Sequence, residues 1–339
     1  GRRMTRGASV VERIASRLRP DDAVTAVDPL DPGNRRETSI VRFADADPVV
    51  LRRTADPDAA RTEAGLLDAI DGRTSVPVPA PLGSGRIDGD GWLATPLVEG
   101  TDLHESFVNL DPAARGRIAA SFGRYLAELH DAFRFDANGP LTVRSGRLVA
   151  DASAEPPAEV AGGDGASSDG RGDDGATGDW DAWFAAFGRA SVARLPAEFD
   201  GIRAQIDAAI DGVAAESAST PRLFPWDFRP GNALVADGRI AAVVDWEGPL
   251  AAAPALSVAK AEYLIADWYV PGEAESLRDA FRAGYESVRP SPTVRPVHRL
   301  VAVASTAVDS RGGVTAPGYP PGSRAEAVAF HRRALTRLL

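Results

Sequence analysis

The chain of 339 residues contains no cysteine. It therefore cannot form a disulfide framework, a thiolate metal site or a cysteine nucleophile, and nothing in it is typical of a small secreted domain. It also has no apolar run of about twenty residues, the length that a membrane-spanning helix requires. Its first six residues, Gly-Arg-Arg-Met-Thr-Arg, lack the apolar core of a signal peptide. These absences predict a cytoplasmic protein without a membrane partner.

Lysine is almost missing as well. Lys260 is the only lysine among 38 Lys and Arg residues, and 48 Asp and Glu residues give a formal net charge of −10. Because phosphate backbones are bound by concentrated positive charge, this balance disfavours a nucleic-acid or anionic-membrane partner. The abundance of Ala, Asp, Glu and Arg resembles proteins of salt-adapted microbes with GC-rich genomes, which we take as an expectation about the source.

The length allows two to three average domains, or one two-lobed enzyme with an insertion. Residues 151–178 consist mainly of Asp, Gly, Ser, Ala and Pro, with almost no large apolar side chain. Such a segment cannot bury enough surface to offset the entropy lost on ordering. We therefore predict a disordered acidic insertion at 151–178.

Three polar residues, Asp227, Asn232 and Asp245, stand in the otherwise apolar stretch 223–247. Two apolar runs flank Asp237-Gly238, a pair that tolerates the positive φ of a tight hairpin turn. Since the far ends of hairpin strands lie together, Asn232 and Asp245 should be neighbours, with Asp227 on the adjoining loop. One carboxylate beside a pair of oxygen ligands predicts a base and a magnesium site. The alternative is an ordinary hairpin whose Asp and Asn side chains cap turns.

The same residues resemble the catalytic loop and metal ligands of kinases. The motif D-F-R-P-G-N, followed by V-V-D-W-E, resembles the corresponding motif of the aminoglycoside phosphotransferase and choline kinase-like family of small-molecule kinases. That resemblance implies an α+β, two-lobed, protein kinase-like fold with a small antiparallel-sheet N-lobe and an α-rich C-lobe. It also implies Mg²⁺-dependent phosphoryl transfer from ATP, or another nucleoside triphosphate, to a hydroxyl of a small-molecule acceptor. Asp227 would be catalytic, and Asn232 and Asp245 would hold the metal.

Three departures from the family pattern support a different function, and one of them is Arg52, which stands where the family usually has a lysine. Pro225-Trp226 replaces the usual His-Gly before the catalytic Asp, and Ser257 replaces an Asp that braces the catalytic loop in the family. An alternative function is therefore a nucleotide-binding regulatory module, a pseudokinase that keeps the fold without turnover. We expect Trp226 to pack in the C-lobe core; the alternative is that it forms a wall of the acceptor cleft.

The N-terminal part predicts a hairpin of strands 38–43 and 48–53, followed by a helix over 57–70. In the resemblance, Arg52 stands where the phosphate-binding lysine usually lies, and it could also be an exposed strand end. Glu63 falls on the apolar stripe of the helix, so it needs a partner unless it bends to water. The family pattern supplies Arg52 as that partner, and both residues would position phosphates.

The sequence W-L-A-T-P-L-V-E-G resembles the hinge between the lobes, where the Pro96 carbonyl and the Val98 N–H would bind the adenine edge. The resemblance therefore divides the chain into an N-lobe, residues 1–96, and a C-lobe, residues 97–339. Helical periodicity and capping signals predict helices in the following segments: 5–19, 111–133, 180–187, 199–210, 257–267, 273–287, 294–309 and 324–339.

Overall fold

The structure, a computed structural model, describes residues 9–30, 37–154, 180–212 and 219–339. Most of the predicted insertion at 151–178 therefore lies outside the described residues, as does the start of the helix predicted over 5–19. Among the helices that the structure describes, none combines the length and the apolar character needed to cross a bilayer.

The N-terminal part is built on a five-stranded antiparallel sheet with the spatial order β1-β2-β3-β5-β4. Its strands are β1 (Val24–Pro29), β2 (Glu37–Phe43), β3 (Val49–Thr54), β4 (Gly83–Ile87) and β5 (Asp90–Pro96). The predicted hairpin is confirmed as β2 and β3. Their alternation turns Val41, Val49 and Leu51 to one buried face, and β1 and β4 extend the sheet on either side.

Two helices cover this sheet. Helix α1 (Val10–Leu18) begins with a capping box between Ser9 and Glu12 and packs its buried Ile14 into the same core as Val41. Helix α2 (Pro57–Asp71) begins at the Asp56 cap with proline in the first turn, as predicted. Its apolar stripe faces β5 and the main core of the molecule.

The rest of the chain is rich in helices, which agrees with the predicted α-rich C-lobe. The helices are α3 (Leu103–Ser106), α4 (Pro112–Ala132), α5 (Trp180–Arg194), α6 (Asp200–Asp211), α7 (Pro254–Glu262), α8 (Ala274–Glu286), α9 (Pro296–Thr306) and α10 (Arg324–Thr336). A π-helical turn, Tyr263–Asp267, continues α7. The remaining strands are β6 (Thr101–Asp102), β7 (Gly139–Arg144), β8 (Arg147–Ala150), β9 (Arg222–Phe224), β10 (Ala233–Ala236), β11 (Arg239–Val243) and β12 (Leu250–Ala252).

Helices α4 and α8 cross at two glycines. A Cβ atom placed on Gly123 would lie against the Phe281 carbonyl, and one on Gly284 would overlap the Ala120 carbonyl. The backbones approach so closely that only glycine fits at either position. This contact locks α8 to the long helix at the centre of the C-terminal part.

The predicted hairpin of the 223–247 stretch is confirmed as β10 and β11, which pair in antiparallel register. Asp237 and Gly238 form its turn with φ values of 49° and 72°, so both adopt the left-handed conformation that the Asp-Gly pair favours. The loop between β9 and β10 carries Asp227 and Asn232, and Asp245 follows β11 directly.

Candidate active site

A cleft of about 750 Å³ lies between the N-terminal sheet and the C-terminal helices. Asp227 and Asp245 lie in its wall. The side formed by the sheet and the segment after β5 includes Val50, Arg52, Thr95, Pro96 and Val98. The opposite side includes Trp226, Lys260, Leu264, Trp268, Ser305 and Thr306. The cleft therefore joins the proposed nucleotide side to the helices that the family resemblance assigns to the acceptor.

Asp227 is held by two neighbours on its own loop. The Asn232 Nδ2 donates to the Asp227 backbone carbonyl at 2.8 Å and to Asp227 Oδ2 at 3.2 Å. The Arg229 guanidinium lies 3.0 Å from the same Oδ2. Within the part of the chain that the structure describes, Asp227 Oδ1 accepts no hydrogen bond, so it is available to a hydroxyl group in the cleft.

Asn232 and Asp245 are brought together by the hairpin, as predicted. The Val244 N–H donates to the Asn232 carbonyl at 2.8 Å, which sets the start of Asp245 beside the asparagine. Asp245 has a φ of 63°, a left-handed conformation that costs a non-glycine residue on the order of 1 kcal/mol. The strain turns its carboxylate into the cleft, where it lines the wall.

The electrostatics of Asp245 favour a cation beside it. Burial, and then the charge of Glu247, raise the pKa of Asp245 to about 7, although Arg52 lowers it. The Asn232 Oδ1 and the Asp245 carboxylate accept no hydrogen bonds from the described residues, so two hard oxygen donors of neighbouring chain segments are unused. The described residues contain no group of three or more His, Cys, Asp or Glu side chains suited to a metal. The pair therefore fits Mg²⁺, which takes few protein ligands and completes its shell with phosphate oxygens and water.

Arg52 and Glu63 form the ion pair that the family resemblance implies. Arg52 Nη1 lies 2.6 Å from Glu63 Oε1, and the Glu63 side chain is 2% exposed. The Arg52 side chain is only 14% exposed, so the alternative of a solvated strand end is wrong. The neighbouring Arg53 instead pairs with Glu37 and Asp90 at the sheet surface.

Pro96 and Val98 line the cleft where β5 ends. The Leu97 N–H donates to the Pro48 carbonyl at 3.2 Å. Because successive backbone groups of a strand point to opposite sides, the Pro96 carbonyl is turned away from β3. Their role at the adenine edge stays a prediction, as does the lobe boundary between residues 96 and 97.

The Trp226 ring contacts both the hydrophobic core and the cleft. Its ring packs against Phe187 and Phe224, with ring centres 5.9 and 6.0 Å apart. It also lines the cleft, where Lys260 Nζ lies 3.5 Å from the ring centre. The prediction of core packing is thus half right, because the ring is partly buried and one face remains on the acceptor side.

Ser257 does not touch the catalytic loop. Its Oγ lies 2.7 Å from His130 Nε2 and donates to the Pro254 carbonyl at 3.2 Å. His130 Nδ1 lies 2.7 Å from the Tyr285 hydroxyl, and burial holds the pKa of His130 well below its ordinary value. A neutral histidine therefore links α4, α7 and α8.

Sequence reasoning missed five charged residues that line the cleft: Arg194, Arg229, Glu247, Lys260 and Asp309. Arg229 and Glu247 each follow a predicted site residue by two positions, so the motif itself carried the signal. Burial lowers the pKa of Arg229, but the charges of Asp227, Tyr269 and Asp245 together raise it above its ordinary value. Lys260 stood out only as the single lysine of the chain.

Comparison with known proteins agrees with this architecture. The family model described as "APH: Phosphotransferase enzyme family" matches residues 27–291. No curated protein matches the chain.

Solved structures share the fold at low identity. A thermostable mutant of the aminoglycoside phosphotransferase APH(4)-Ia, in a ternary complex with AMP-PNP and hygromycin B, is 14% identical with a TM-score of 0.61, covering 97% of this chain and 98% of that one. A putative fructosamine-3-kinase from Thermobifida fusca YX-ER1 is 19% identical with a TM-score of 0.58, covering 98% of this chain and 100% of that one. A putative aminoglycoside phosphotransferase from Ralstonia eutropha JMP134 is 15% identical with a TM-score of 0.60, covering 96% and 97%. With a family model that matches most of its length and neighbours that share its protein kinase-like fold, the chain belongs to the phosphotransferase enzyme family.

Proposed function

We propose that this protein transfers the γ-phosphoryl group of ATP to a hydroxyl of a small molecule, assisted by Mg²⁺. The observation that carries the proposal is that Asp227 and Asp245 lie in the wall of one cleft, while the buried Asn232 bonds to Asp227 and to the residue before Asp245. Kinase-type phosphoryl transfer needs a carboxylate for the acceptor hydroxyl and oxygen ligands for the metal at the phosphates. All three groups are present, and the Asp227 Oδ1, the Asn232 Oδ1 and the Asp245 carboxylate accept no hydrogen bond from the described residues.

The nucleotide is proposed to lie on the sheet side of the cleft. Val50 would pack against the adenine, and Pro96 and Val98 would bind its edge. The Arg52 guanidinium, fixed by Glu63, would contact phosphate oxygens through its remaining N–H donors. The neighbour with AMP-PNP shows that this fold accepts an ATP analogue.

Asn232 and Asp245 are the residues that would hold Mg²⁺, which neutralises the charge that develops on the phosphates. The Asn232 amide is kept in the orientation needed for this by its two hydrogen bonds to Asp227. Asp245 must be ionised to bind the metal, and its raised pKa makes that step sensitive to pH near neutrality.

Asp227 is proposed to orient the acceptor and to take its proton. With Oδ2 bound by Asn232 and Arg229, Oδ1 is left to accept the hydroxyl hydrogen. The acceptor oxygen forms a bond to the γ-phosphorus, the bond from that phosphorus to the ADP oxygen breaks, and the hydroxyl proton moves to Asp227. Positioning and charge neutralisation supply most of the acceleration in such reactions.

The acceptor side consists of α7, α9 and the chain after α9, which line the part of the cleft beyond Asp227. Two structural neighbours suggest the chemical class of the acceptor: one is bound to hygromycin B, and the other is a putative fructosamine-3-kinase. A small polyhydroxy compound therefore fits the proposal. We expect the protein to be located in the cytoplasm.

The test compares Asp227→Asn and Asp245→Asn with the matched control Asp237→Asn. Asp237 lies on the same hairpin, also with positive φ, but at the exposed turn far from the cleft. Binding of AMP-PNP with and without Mg²⁺ is measured by calorimetry, and ADP release is followed with hygromycin B, a fructosamine, simple polyols, and carboxylate and phosphate derivatives of those polyols. We expect Asp245→Asn to lose the Mg²⁺-dependent part of binding, while Asp227→Asn keeps binding and loses turnover.

Two results would overturn the proposal. Nucleotide binding that is indifferent to Mg²⁺ and to Asp245→Asn would show that these residues are structural. Mg²⁺-dependent binding without ADP release for any acceptor, and with no effect of Asp227→Asn on the slow hydrolysis of ATP by water, would favour the regulatory module.

A further inference from the structure

Lys260 is a buried lysine whose ammonium has no carboxylate partner among the residues that the structure describes. The residue is 2% exposed on α7. Its Nζ lies 3.5 Å from the Trp226 ring centre and 3.4 Å from Ser305 Oγ, a long hydrogen bond. An ammonium carries three N–H donors, and Lys260 forms no ion pair with any residue that the structure describes. Donor capacity therefore remains at the cleft wall, where Lys260 lies.

A second buried charge on α7, the Glu262 carboxylate, has ion-pair partners. Glu262, two residues after Lys260, is 1% exposed, yet Arg282 and Arg299 reach its carboxylate at 2.7 and 2.6 Å. A buried charge without such partners is costly. Lys260 has a long hydrogen bond and a ring contact but no carboxylate partner among the described residues, and a bound anion would supply that partner.

The charged residues near Lys260 do not stabilise its ammonium as an ion-pair partner would. Burial lowers the pKa of Lys260 to about 7; Asp227 opposes that change, and Arg229 and Arg194 add to it. Asp227 is already bound to Arg229. The ammonium therefore meets more positive than negative charge from the protein, and an anion arriving from the cleft would be stabilised by all three cations.

We propose, building on the proposed function, that Lys260 binds an anionic oxygen group of the acceptor molecule, a carboxylate or a phosphate, beside the flat wall of Trp226. The acceptor hydroxyl then lies at Asp227, the residue next to that tryptophan, while the anionic group is held at Lys260. Charge-assisted hydrogen bonds from the unused N–H donors fix its orientation.

This assignment narrows the substrate class to hydroxy compounds that carry negative charge. The other carboxylate on the acceptor side, Asp309, already accepts the backbone N–H groups of Arg311 and Gly313 at 2.8 Å. A polycationic aminoglycoside would meet the uncompensated ammonium of Lys260, and like charges facing one another disfavour binding. We expect the cleft to discriminate against such acceptors.

The single lysine of the chain makes a direct test possible, because protein labelled with ¹⁵Nζ-lysine gives one side-chain amine signal. The signal is titrated against pH in chloride buffer with saturating Mg²⁺ and AMP-PNP, so that added anions cannot occupy the nucleotide site. The probes are inorganic phosphate, D-glycerate and glycerol. We expect phosphate, D-glycerate or both to raise the pKa of Lys260 saturably toward the ordinary lysine value, and glycerol to leave it unchanged.

The two anionic probes distinguish the source of the group, since a response to D-glycerate alone assigns a carboxylate and a response to phosphate alone assigns a phosphate ester. Lys260→Met should weaken binding of the responding probe at least about tenfold, whereas Arg239→Met, which removes an exposed cation of the hairpin, should not.

The inference is overturned if neither anion moves the signal, or if Mg²⁺ with AMP-PNP moves it and the anions add nothing, because Lys260 would then face the transferred phosphate. Failure of AMP-PNP to bind would overturn the proposed function instead, and the anion titrations without nucleotide would still decide the role of Lys260.

Discussion

Replacing Lys260 by methionine should stabilise the folded protein, and more at low pH than at high pH. Methionine keeps an unbranched apolar side chain of similar length, so the substitution removes the charge with little change in packing. The gain arises because the folded state must bury an ammonium that the unfolded chain leaves in water. The structure allows both its size and its pH dependence to be worked out.

The pKa of Lys260 falls from 10.5 in the unfolded chain to about 7 in the folded protein. Below pH 7 both states are protonated, and the full cost of burying the charge is present. Between pH 7 and 10.5 the unfolded state binds the proton and the folded state does not, so wild-type stability rises with pH. At 1.36 kcal/mol for each pKa unit, the cost is about 5 kcal/mol at pH 6 and about 2 kcal/mol at pH 9.

Lys260→Met should therefore raise the free energy of unfolding by up to about 5 kcal/mol at pH 6 and by about 2 kcal/mol at pH 9. Urea denaturation followed by circular dichroism measures both, in potassium chloride without carboxylate or phosphate buffers. Arg239→Met is the control for loss of an exposed positive charge. A variant less stable than wild type at pH 6, or a gain that is equal at the two pH values, would refute the reasoning.

Four further outcomes are expected. Mg²⁺-dependent AMP-PNP affinity should fall as pH drops below about 7, because a proton on Asp245 competes with the metal; calorimetry across pH 5.5–8 checks this, and a flat profile would contradict it. Gly284→Ala should destabilise the protein by about 1–3 kcal/mol in urea, because its new methyl group meets the Ala120 carbonyl; unchanged stability would mean that the helices can separate freely. Trp226→Gly should lower stability by about 3 kcal/mol through lost packing, and an equally stable variant with altered acceptor binding would show that only its cleft face matters. Deleting 151–178 should leave activity near that of wild type, since the segment has almost no apolar residues to contribute to a core; loss of folded protein would show otherwise.

Much of the local structure was predictable because its signals are short in range. The Asp56-Pro57 cap gave the start of α2, and the Asp237-Gly238 turn gave the β10–β11 hairpin. Strands β1, β4, β6, β7, β8, β9 and β12 were missed. Their pairing partners, rather than a strong alternation of their own, define them as strands, because β propensity depends on neighbours in the sheet.

The candidate site, like the fold, has a part that the sequence predicted and a part that it did not. The sequence alone predicted that Asn232 and Asp245 meet, because a hairpin with a short turn brings its far ends together, and it placed Asp227 on the adjoining loop. It also placed Glu63 on a buried stripe, whereas its pairing with Arg52 was implied by the family resemblance.

Only the tertiary structure decided what surrounds those residues. The approach of Lys260 to Trp226 and Ser305 joins three segments that are far apart in sequence, and it depends on how α7 and α9 pack beside the catalytic loop. Side-chain periodicity reports which face of an element is buried, but not which partner buries it. The charge beside Trp226 in the cleft, unlike the meeting of Asn232 and Asp245, is therefore a property of packing between distant elements.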